Sequence, residues 1–220
     1  MADPGGVVNL RLSRVLSPVT ALGPGRRVAV WVQGCALACA GCASEDTWAY
    51  DGGTAVTVED AIELLADEMS RHGLDGLTLT GGEPTDQAEA LAATVTGLQA
   101  RVETPLDVLL FTGRTLTAAR ARAAALLDLA DCLVSGPYRP GEFGANRLLA
   151  SANQEITWRS VQARARYEPW LADPAVPTLQ VSADESDLFL IGLPRAGDLV
   201  AFEQEMRQRG VELAGVTWSA

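Results

Sequence analysis

The chain has 220 residues, of which 48% are hydrophobic and 20% are charged, and its formal net charge is −11. This length suits one domain with a full core better than two domains. The acidic balance argues against a nucleic-acid partner, because phosphate binding requires a cationic surface. All 17 basic residues are arginine, so a catalytic lysine is excluded, and the single histidine, His72, leaves little room for a multi-histidine metal site.

No apolar run approaches the roughly 20 residues needed to span a bilayer, so we expect no membrane association. Residues 1–6 lack the basic region and the apolar core of a secretory signal. Three of the four cysteines fall within eight residues, which is a poor disulfide framework but a suitable metal site in a reducing compartment. These features predict a cytoplasmic protein.

The first third of the chain predicts strands that lead into a helix. Residues 7–16 alternate weakly and predict a short edge strand or arm, and the apolar run 28–32 predicts a buried strand that leads directly into a cysteine. A helix is expected over residues 58–71. Thr57 and Asp60 have capping-box spacing at its start, and Gly73 is a natural stop.

The middle of the chain alternates between strand and helix patterns. We expect strands and helices at the following positions: strands 77–80, 106–111 and 132–135, and helices 86–101 and 116–129. Helices of this length between strands imply parallel pairing with right-handed crossovers. Residues 136–152 are rich in Gly, Pro, Asn and Arg and predict an irregular loop.

The last part predicts a hairpin followed by a helix. The runs 178–181 and 187–193 are apolar, and Asp184-Glu185-Ser186 supplies a polar turn between them. A helix over residues 198–209 follows, then a short strand near 211–216.

Cys35, Cys39 and Cys42 form a C-x3-C-x2-C motif. Three thiolates can occupy three corners of a 4Fe–4S cubane and leave one iron without a protein ligand. Two other interpretations remain open. A structural zinc site needs four ligands, so Cys132 or His72 would have to complete it. A dithiol redox motif at Cys39 and Cys42 would leave Cys35 without a role, and Cys132 itself fits a core position.

A second motif, Gly81-Gly82-Glu83-Pro84, stands at the end of the strand predicted over 77–80. Two glycines let a ligand approach the backbone closely, and a carboxylate there can pair with an ammonium group. Ligands of parallel α/β sheets bind at the carboxyl ends of the strands, where both motifs fall. Gly-Gly turns alone are common, so the motif gains its specificity from following the cysteine loop by one βα unit.

Together these motifs resemble the radical S-adenosylmethionine (SAM) superfamily, and in particular the activating protein of anaerobic ribonucleotide reductase and its single-cluster relatives. The resemblance covers roughly residues 7–160. It is carried by the following stretches: Trp31 to Cys35, Ala40-Gly41-Cys42 through Thr47-Trp48, Leu110-Phe111-Thr112-Gly113, Leu133 to Tyr138, and Ser151-Ala152-Asn153-Gln154.

The resemblance implies an α/β fold, an incomplete parallel (β/α) barrel of the radical SAM type. We expect a radical SAM core at residues 1–160 and a small C-terminal strand–helix extension at 161–220, packed on the core. It also implies that SAM binds the open iron and is cleaved reductively to a 5′-deoxyadenosyl radical, which abstracts hydrogen.

The resemblance further assigns roles to residues around the cluster. The Gly81-Gly82-Glu83 segment would bind the SAM amino group, and Gly41 and Ala43 would line its adenine side. Thr112 and Ser135 would face the cofactor or substrate, although ordinary turn and strand-end roles fit these two equally well.

The expected partners are an electron donor, such as flavodoxin or ferredoxin, and a glycyl-radical protein. The expected activity is glycyl-radical activation. A small molecule or a peptide of a biosynthetic pathway is an alternative substrate, and a non-catalytic metal-binding scaffold is an alternative of another class. Ser135 stands where reductase activators commonly carry Asp. Arg139 and Arg147 could bind an anionic substrate or could simply be solvated.

Overall fold

A computed structural model of the protein describes residues 9–184, 187–195 and 197–216. Nine strands are β1 (Asn9–Val19), β2 (Arg27–Val32), β3 (Thr54–Thr57), β4 (Gly76–Gly81), β5 (Asp107–Thr112), β6 (Cys132–Ser135), β7 (Glu155–Trp158), β8 (Leu179–Ala183) and β9 (Leu188–Gly192). Five helices are α1 (Val58–His72), α2 (Ala88–Arg101), α3 (Leu116–Leu129), α4 (Val161–Ala172) and α5 (Asp198–Gln208). No helix in these ranges is long and apolar enough to cross a membrane.

The main sheet has seven strands in the order β3-β1-β2-β4-β5-β6-β7. Its four central strands, β2, β4, β5 and β6, are parallel, and helices connect them as predicted. This confirms an α/β fold with a central parallel sheet. The flanking strands β1, β3 and β7 pair antiparallel.

The first strand is not at the edge of the sheet, so that part of the prediction was wrong. β1 lies between β2 and β3, and β3 covers its outer side with the pairs Asn9–Thr57 to Leu12–Thr54. β3 is only four residues long and leads directly into α1, so its sequence resembles the start of the helix. The strand β7 and the helix α4 were also not predicted.

The caps of α1 confirm the predicted helix start and end. Asp60 N donates a hydrogen bond to the Thr57 hydroxyl oxygen at 3.0 Å, and Gly73 ends the helix with φ 58°. Ile62, Leu65 and Met69 are buried, and their spacing places them on one face of the helix. Together with α2 and α3, this helix covers one face of the sheet and forms the largest core cluster.

The opposite face of the sheet is covered by α4 and by the β8–β9 hairpin. Tyr167 and Trp170 of α4 pack near Cys132, which is fully buried and therefore a core residue. Ile191 of β9 is 1% exposed and belongs to a separate cluster with Trp31. The hairpin thus covers a face of the sheet.

The tail differs from the prediction in one element. The hairpin and α5 form as predicted. The predicted strand near residues 211–216 was wrong, since these residues have no regular secondary structure. Of the predicted hairpin turn, Glu185 and Ser186 lie outside the described residues.

A buried ion pair fixes the end of the sheet opposite the cysteine loop. The Arg27 guanidinium is fully buried and lies 2.5 Å from a carboxylate oxygen of Asp107. The Tyr167 hydroxyl donates to the same oxygen at 2.8 Å. Thr78 accepts a hydrogen bond from Arg27 Nε at 2.7 Å. These contacts join β2, β4, β5 and α4 on one face of the sheet.

Candidate active site

The cysteine loop begins where β2 ends, and both of its ends are held in place. Gly34 N donates to Thr47 O at 2.7 Å, and Cys35 N donates to Trp48 O at 3.0 Å. The Gln33 side-chain amide donates to Asp46 O at 3.1 Å and to a second backbone carbonyl of the same segment at 2.8 Å. The loop between these anchors carries the three cysteines.

Cys35, Cys39 and Cys42 are all free and partly buried. Ser44 N lies 3.4 Å from Cys42 Sγ, so a backbone N–H points at that sulfur. Burial raises the pKa of the Cys35 and Cys42 thiols above the ordinary value, and backbone hydrogen bonds oppose this effect. Binding to a metal offsets the cost of forming a buried thiolate, since the thiolate is the form that ligates.

Within the described parts of the chain, no three His, Cys, Asp or Glu side chains are grouped to hold a metal ion. Each thiolate ligand of a cubane binds a different iron. The three sulfurs therefore do not need to converge on one point.

The two glycines at the end of β4 let this strand approach the cysteine loop. A Cβ on Gly82 would lie 2.4 Å from Gly34 O. Gly81 has φ +101°, and a Cβ on it would lie 2.5 Å from Val32 N. Gly82 N donates to Val32 O at 2.8 Å, and Glu83 N donates to Gly34 O at 2.9 Å. The sequence suggested close approach of a ligand; the structure adds a close approach of backbone to backbone.

Glu83 is fully buried, and its carboxylate connects three segments. One oxygen accepts hydrogen bonds from Thr85 N at 3.0 Å, from the Thr85 hydroxyl at 2.6 Å and from the Thr112 hydroxyl at 2.8 Å. The other accepts from Gly113 N at 2.9 Å. The predicted residues Glu83 and Thr112 are therefore in direct contact.

A group of residues that sequence reasoning did not single out surrounds this centre. Asp86 accepts hydrogen bonds from the Tyr50 hydroxyl at 2.8 Å and from Arg114 at 2.7 Å. Arg114 Nε also reaches the Thr85 hydroxyl at 3.0 Å. The Tyr50 ring covers Gly34, where a Cβ would lie 2.6 Å from the ring. The one sequence feature that could have identified Asp86 as a site residue is its position three residues after Glu83.

One cavity of about 1280 Å³ brings the predicted residues together. Its wall includes all three loop cysteines, Gly41, Ala43, Gly81, Gly82, Glu83 and Thr112. Ser135 does not line the cavity, although its neighbour Gly136 does. Ser135 is 2% exposed at the end of β6. The tail also lines the cavity, mainly with β9 and residues 211–216.

The loop arginines make contacts within the protein. Arg147 donates to the carbonyl of Val176 at 2.7 Å and to that of Asp173 at 2.5 Å, and its guanidinium lies 5.2 Å from the Trp170 ring centre. Arg139 lies 3.6 Å from Glu142. Arg147 therefore fixes the loop to the segment after α4.

Asn153 and Gln154 follow the same loop and satisfy its backbone. Gln154 Oε1 accepts from Ala150 N at 2.8 Å and from Ser151 N at 3.1 Å. Asn153 Nδ2 donates to Pro137 O at 2.8 Å. These contacts give both residues a structural role.

Comparison with known proteins places this site in a family. The family described as "4Fe-4S single cluster domain" matches residues 21–157, which include every predicted site residue. The anaerobic ribonucleoside-triphosphate reductase-activating protein of Vibrio cholerae is 35% identical over 118 residues, 53% of this chain and 76% of that protein. Pyruvate formate-lyase 1-activating enzyme of Escherichia coli is 41% identical over 71 residues, 30% of this chain and 28% of that protein.

Among solved structures, QueE from Escherichia coli aligns with a TM-score of 0.38 at 19% identity, covering 49% of this chain and 53% of that chain. At this score the likeness carries no weight for the fold.

Proposed function

Because this chain belongs to the 4Fe–4S single-cluster family of radical SAM enzymes, we propose that Cys35, Cys39 and Cys42 bind its cluster beside the cavity. The cofactors of the enzyme are a 4Fe–4S cluster and SAM. When bound, the cluster supplies the electron that cleaves SAM into methionine and a 5′-deoxyadenosyl radical.

The residues present fit these cofactors. The three free thiols match the three protein ligands of a cluster with one open iron. The same cavity wall carries the cysteines and the Gly81-Gly82-Glu83 segment, so a ligand can contact both motifs at once. This shared wall is the observation that carries the proposal.

Glu83 is proposed to bind the ammonium group of SAM. Glu83 Oε1 already accepts three hydrogen bonds, whereas Oε2 accepts only the one from Gly113 N. A carboxylate oxygen has two acceptor positions, so Oε2 keeps one for the ammonium. Gly81 and Gly82 would bind SAM beside Glu83, and Gly41 and Ala43 would contact the adenine. Ser135 would support the cofactor or substrate site through its neighbour Gly136, which lines the cavity.

The proposed substrate is a glycine α-carbon in a glycyl-radical protein. The named relatives, an activating protein and an activating enzyme, support this choice. The deoxyadenosyl radical would abstract one hydrogen atom from that carbon, forming 5′-deoxyadenosine and a glycyl radical. A flavodoxin or ferredoxin is proposed as the electron donor.

We also propose how the sheet is shaped and how the chain divides into a core and an extension. The parallel strands would form an incomplete barrel, with a core at residues 1–160 and an extension at 161–220. The free cysteines support a cytoplasmic location.

The test uses the protein with its cluster reconstituted anaerobically. It is reduced with dithionite in the presence of SAM and of a glycyl-radical protein encoded in the same genome. We expect 5′-deoxyadenosine together with the electron paramagnetic resonance (EPR) doublet of a glycyl radical. Deoxyadenosine without that doublet, for every such protein of the genome, would contradict the glycyl-radical assignment.

A further inference from the structure

Strand β9 runs along the cavity in an unusual way. Residues 187–194 all line the cavity, whereas Ala183 is the only residue of β8 that does so. Successive side chains of a strand point to opposite faces of its sheet. Ile191 is buried in the core, so its neighbour Leu190 points to the other face. The cavity is lined both by residues that point to the core face and by residues that point to the other face. It must therefore run along the edge of β9.

That edge has no partner strand within the described residues. β8 and β9 form a two-stranded sheet, and β9 pairs there with β8 alone. The edge of β9 that faces away from β8 therefore presents backbone donors and acceptors, which are a template for another strand.

The register shows which backbone groups point outward. Asp184 N donates to Asp187 O at 3.0 Å, which marks a hydrogen-bonded pair next to the turn. In an antiparallel pair of strands, hydrogen-bonded residue pairs alternate with pairs that are not hydrogen-bonded. Counting from the turn, the residues of β9 whose pairs with β8 are not hydrogen-bonded are Leu188, Leu190 and Gly192. Their N–H and C=O groups point away from β8, toward the free edge.

The cavity is large and acidic. Its volume of about 1280 Å³ exceeds the range of roughly 300–1,000 Å³ that is typical of small-ligand sites. Five carboxylates and two guanidinium groups line it: Asp46, Glu83, Asp184, Asp187 and Glu212, with Arg14 and Arg195. Arg14 is paired with Asp46, and the excess of acidic over basic residues along the wall disfavours an anionic substrate. A neutral or basic substrate is favoured.

We propose that an extended peptide segment of the substrate protein, neutral or basic in character, binds as a third strand along β9. This inference rests on the proposed function and names its recognition mode. The segment would pair its backbone with Leu188, Leu190 and Gly192, while the cysteine loop and Glu83 line the same cavity. Backbone pairing supplies affinity in strand addition, and pockets for alternate side chains supply specificity.

The test uses the full-length, cluster-loaded protein and a fluorescent synthetic peptide. The peptide alternates valine and threonine around a central glycine and carries an arginine at each end. Leu190→Pro removes the central outward N–H of β9 without removing a bond to β8. The matched control is Val181→Pro, which removes the outward N–H of the directly opposite residue, on the edge of β8 away from β9.

We expect the wild type and Val181→Pro to bind the peptide equally, and Leu190→Pro to bind it about ten-fold more weakly. A peptide N-methylated along one edge should lose affinity for the wild type in the same way, which tests the proposal even if Leu190→Pro does not fold. Equal binding by Leu190→Pro, equal binding of the N-methylated peptide, or no binding by the wild type would each overturn it.

The proposed function is measured separately as 5′-deoxyadenosine formed without peptide. This yield should be the same in the wild type and in Val181→Pro, whose changed residue does not line the cavity. If no variant forms deoxyadenosine while the binding pattern holds, the proposed function fails and strand addition stands.

Discussion

The Thr112 hydroxyl donates a hydrogen bond to Glu83 Oε1 across 2.8 Å. This contact joins the turn after β4 to the end of β5, and Gly113 N reinforces it from the adjacent position at 2.9 Å. A carboxylate that would bind a cofactor is thus also a structural link between two strand ends. The two roles make different predictions for different substitutions.

Glu83→Ala should weaken SAM binding and also destabilise the protein. Losing a charge-assisted contact costs roughly 1.5–3 kcal/mol, which is roughly a ten- to hundred-fold loss of affinity. Thr85 N and Gly113 N also lose their acceptor, which lowers the melting temperature. Glu83→Gln keeps the shape and one acceptor oxygen, so it should keep more of the stability while losing SAM affinity. Calorimetric titration and thermal melting measure the two effects, and unchanged SAM affinity in both variants would reject the assigned role.

Of three substitutions that remove a contact away from the cysteine loop, Asp107→Ala should lower the free energy of unfolding the most. It leaves the fully buried Arg27 without its carboxylate, and breaking a buried pair in this way costs about 3–5 kcal/mol. Tyr167→Phe removes one hydrogen bond to Asp107 and should cost about 1 kcal/mol. The control is Asp128→Ala, whose partner Arg120 is 49% exposed, and it should cost less than about 1 kcal/mol.

Urea unfolding of the three variants measures these differences. Equal stability of Asp107→Ala and Asp128→Ala would show that the buried pair does not hold α4 and the strands together.

Cys132 should resist alkylation in the folded protein. Burial raises the pKa of its thiol far above the ordinary value, so almost no thiolate forms at neutral pH. In the cluster-free protein iodoacetamide should modify the three loop cysteines, which are only partly buried. Mass spectrometry of the digested protein identifies the sites, with a urea-denatured sample in which Cys132 reacts as the control. Modification of Cys132 at the rate of the loop cysteines would contradict its burial.

The sequence predicted the central strands and helices because their patterns are strong. α3 and β6 begin and end where the patterns predict, and Thr57 and Gly73 mark the ends of α1 as their chemistry requires. α4 was missed because it contains Pro169, and a proline inside a pattern predicts a break in the helix. β7 was missed because its four residues, Glu155–Trp158, directly follow the irregular loop.

The site was predicted less completely than the fold. The cysteine and glycine motifs are local in sequence, and both line the cavity. The contacts of Glu83 with Thr112 and of Arg27 with Asp107 join residues 29 and 80 positions apart. No local pattern specifies such pairs. The signal for the second pair was a charged residue at the first position of an otherwise apolar strand, in both β2 and β5.

The most direct test of the account is whether SAM binds the cluster held by Cys35, Cys39 and Cys42. The reduced, reconstituted protein is examined by EPR before and after SAM is added, and 5′-deoxyadenosine is measured in the same samples. Wild type and Cys132→Ala should show a cluster signal that SAM changes, and both should form deoxyadenosine; Cys35→Ala, Cys39→Ala and Cys42→Ala should show neither. A cluster signal that SAM leaves unchanged, together with a requirement for Cys132, would contradict the account and indicate a site closed by four cysteines.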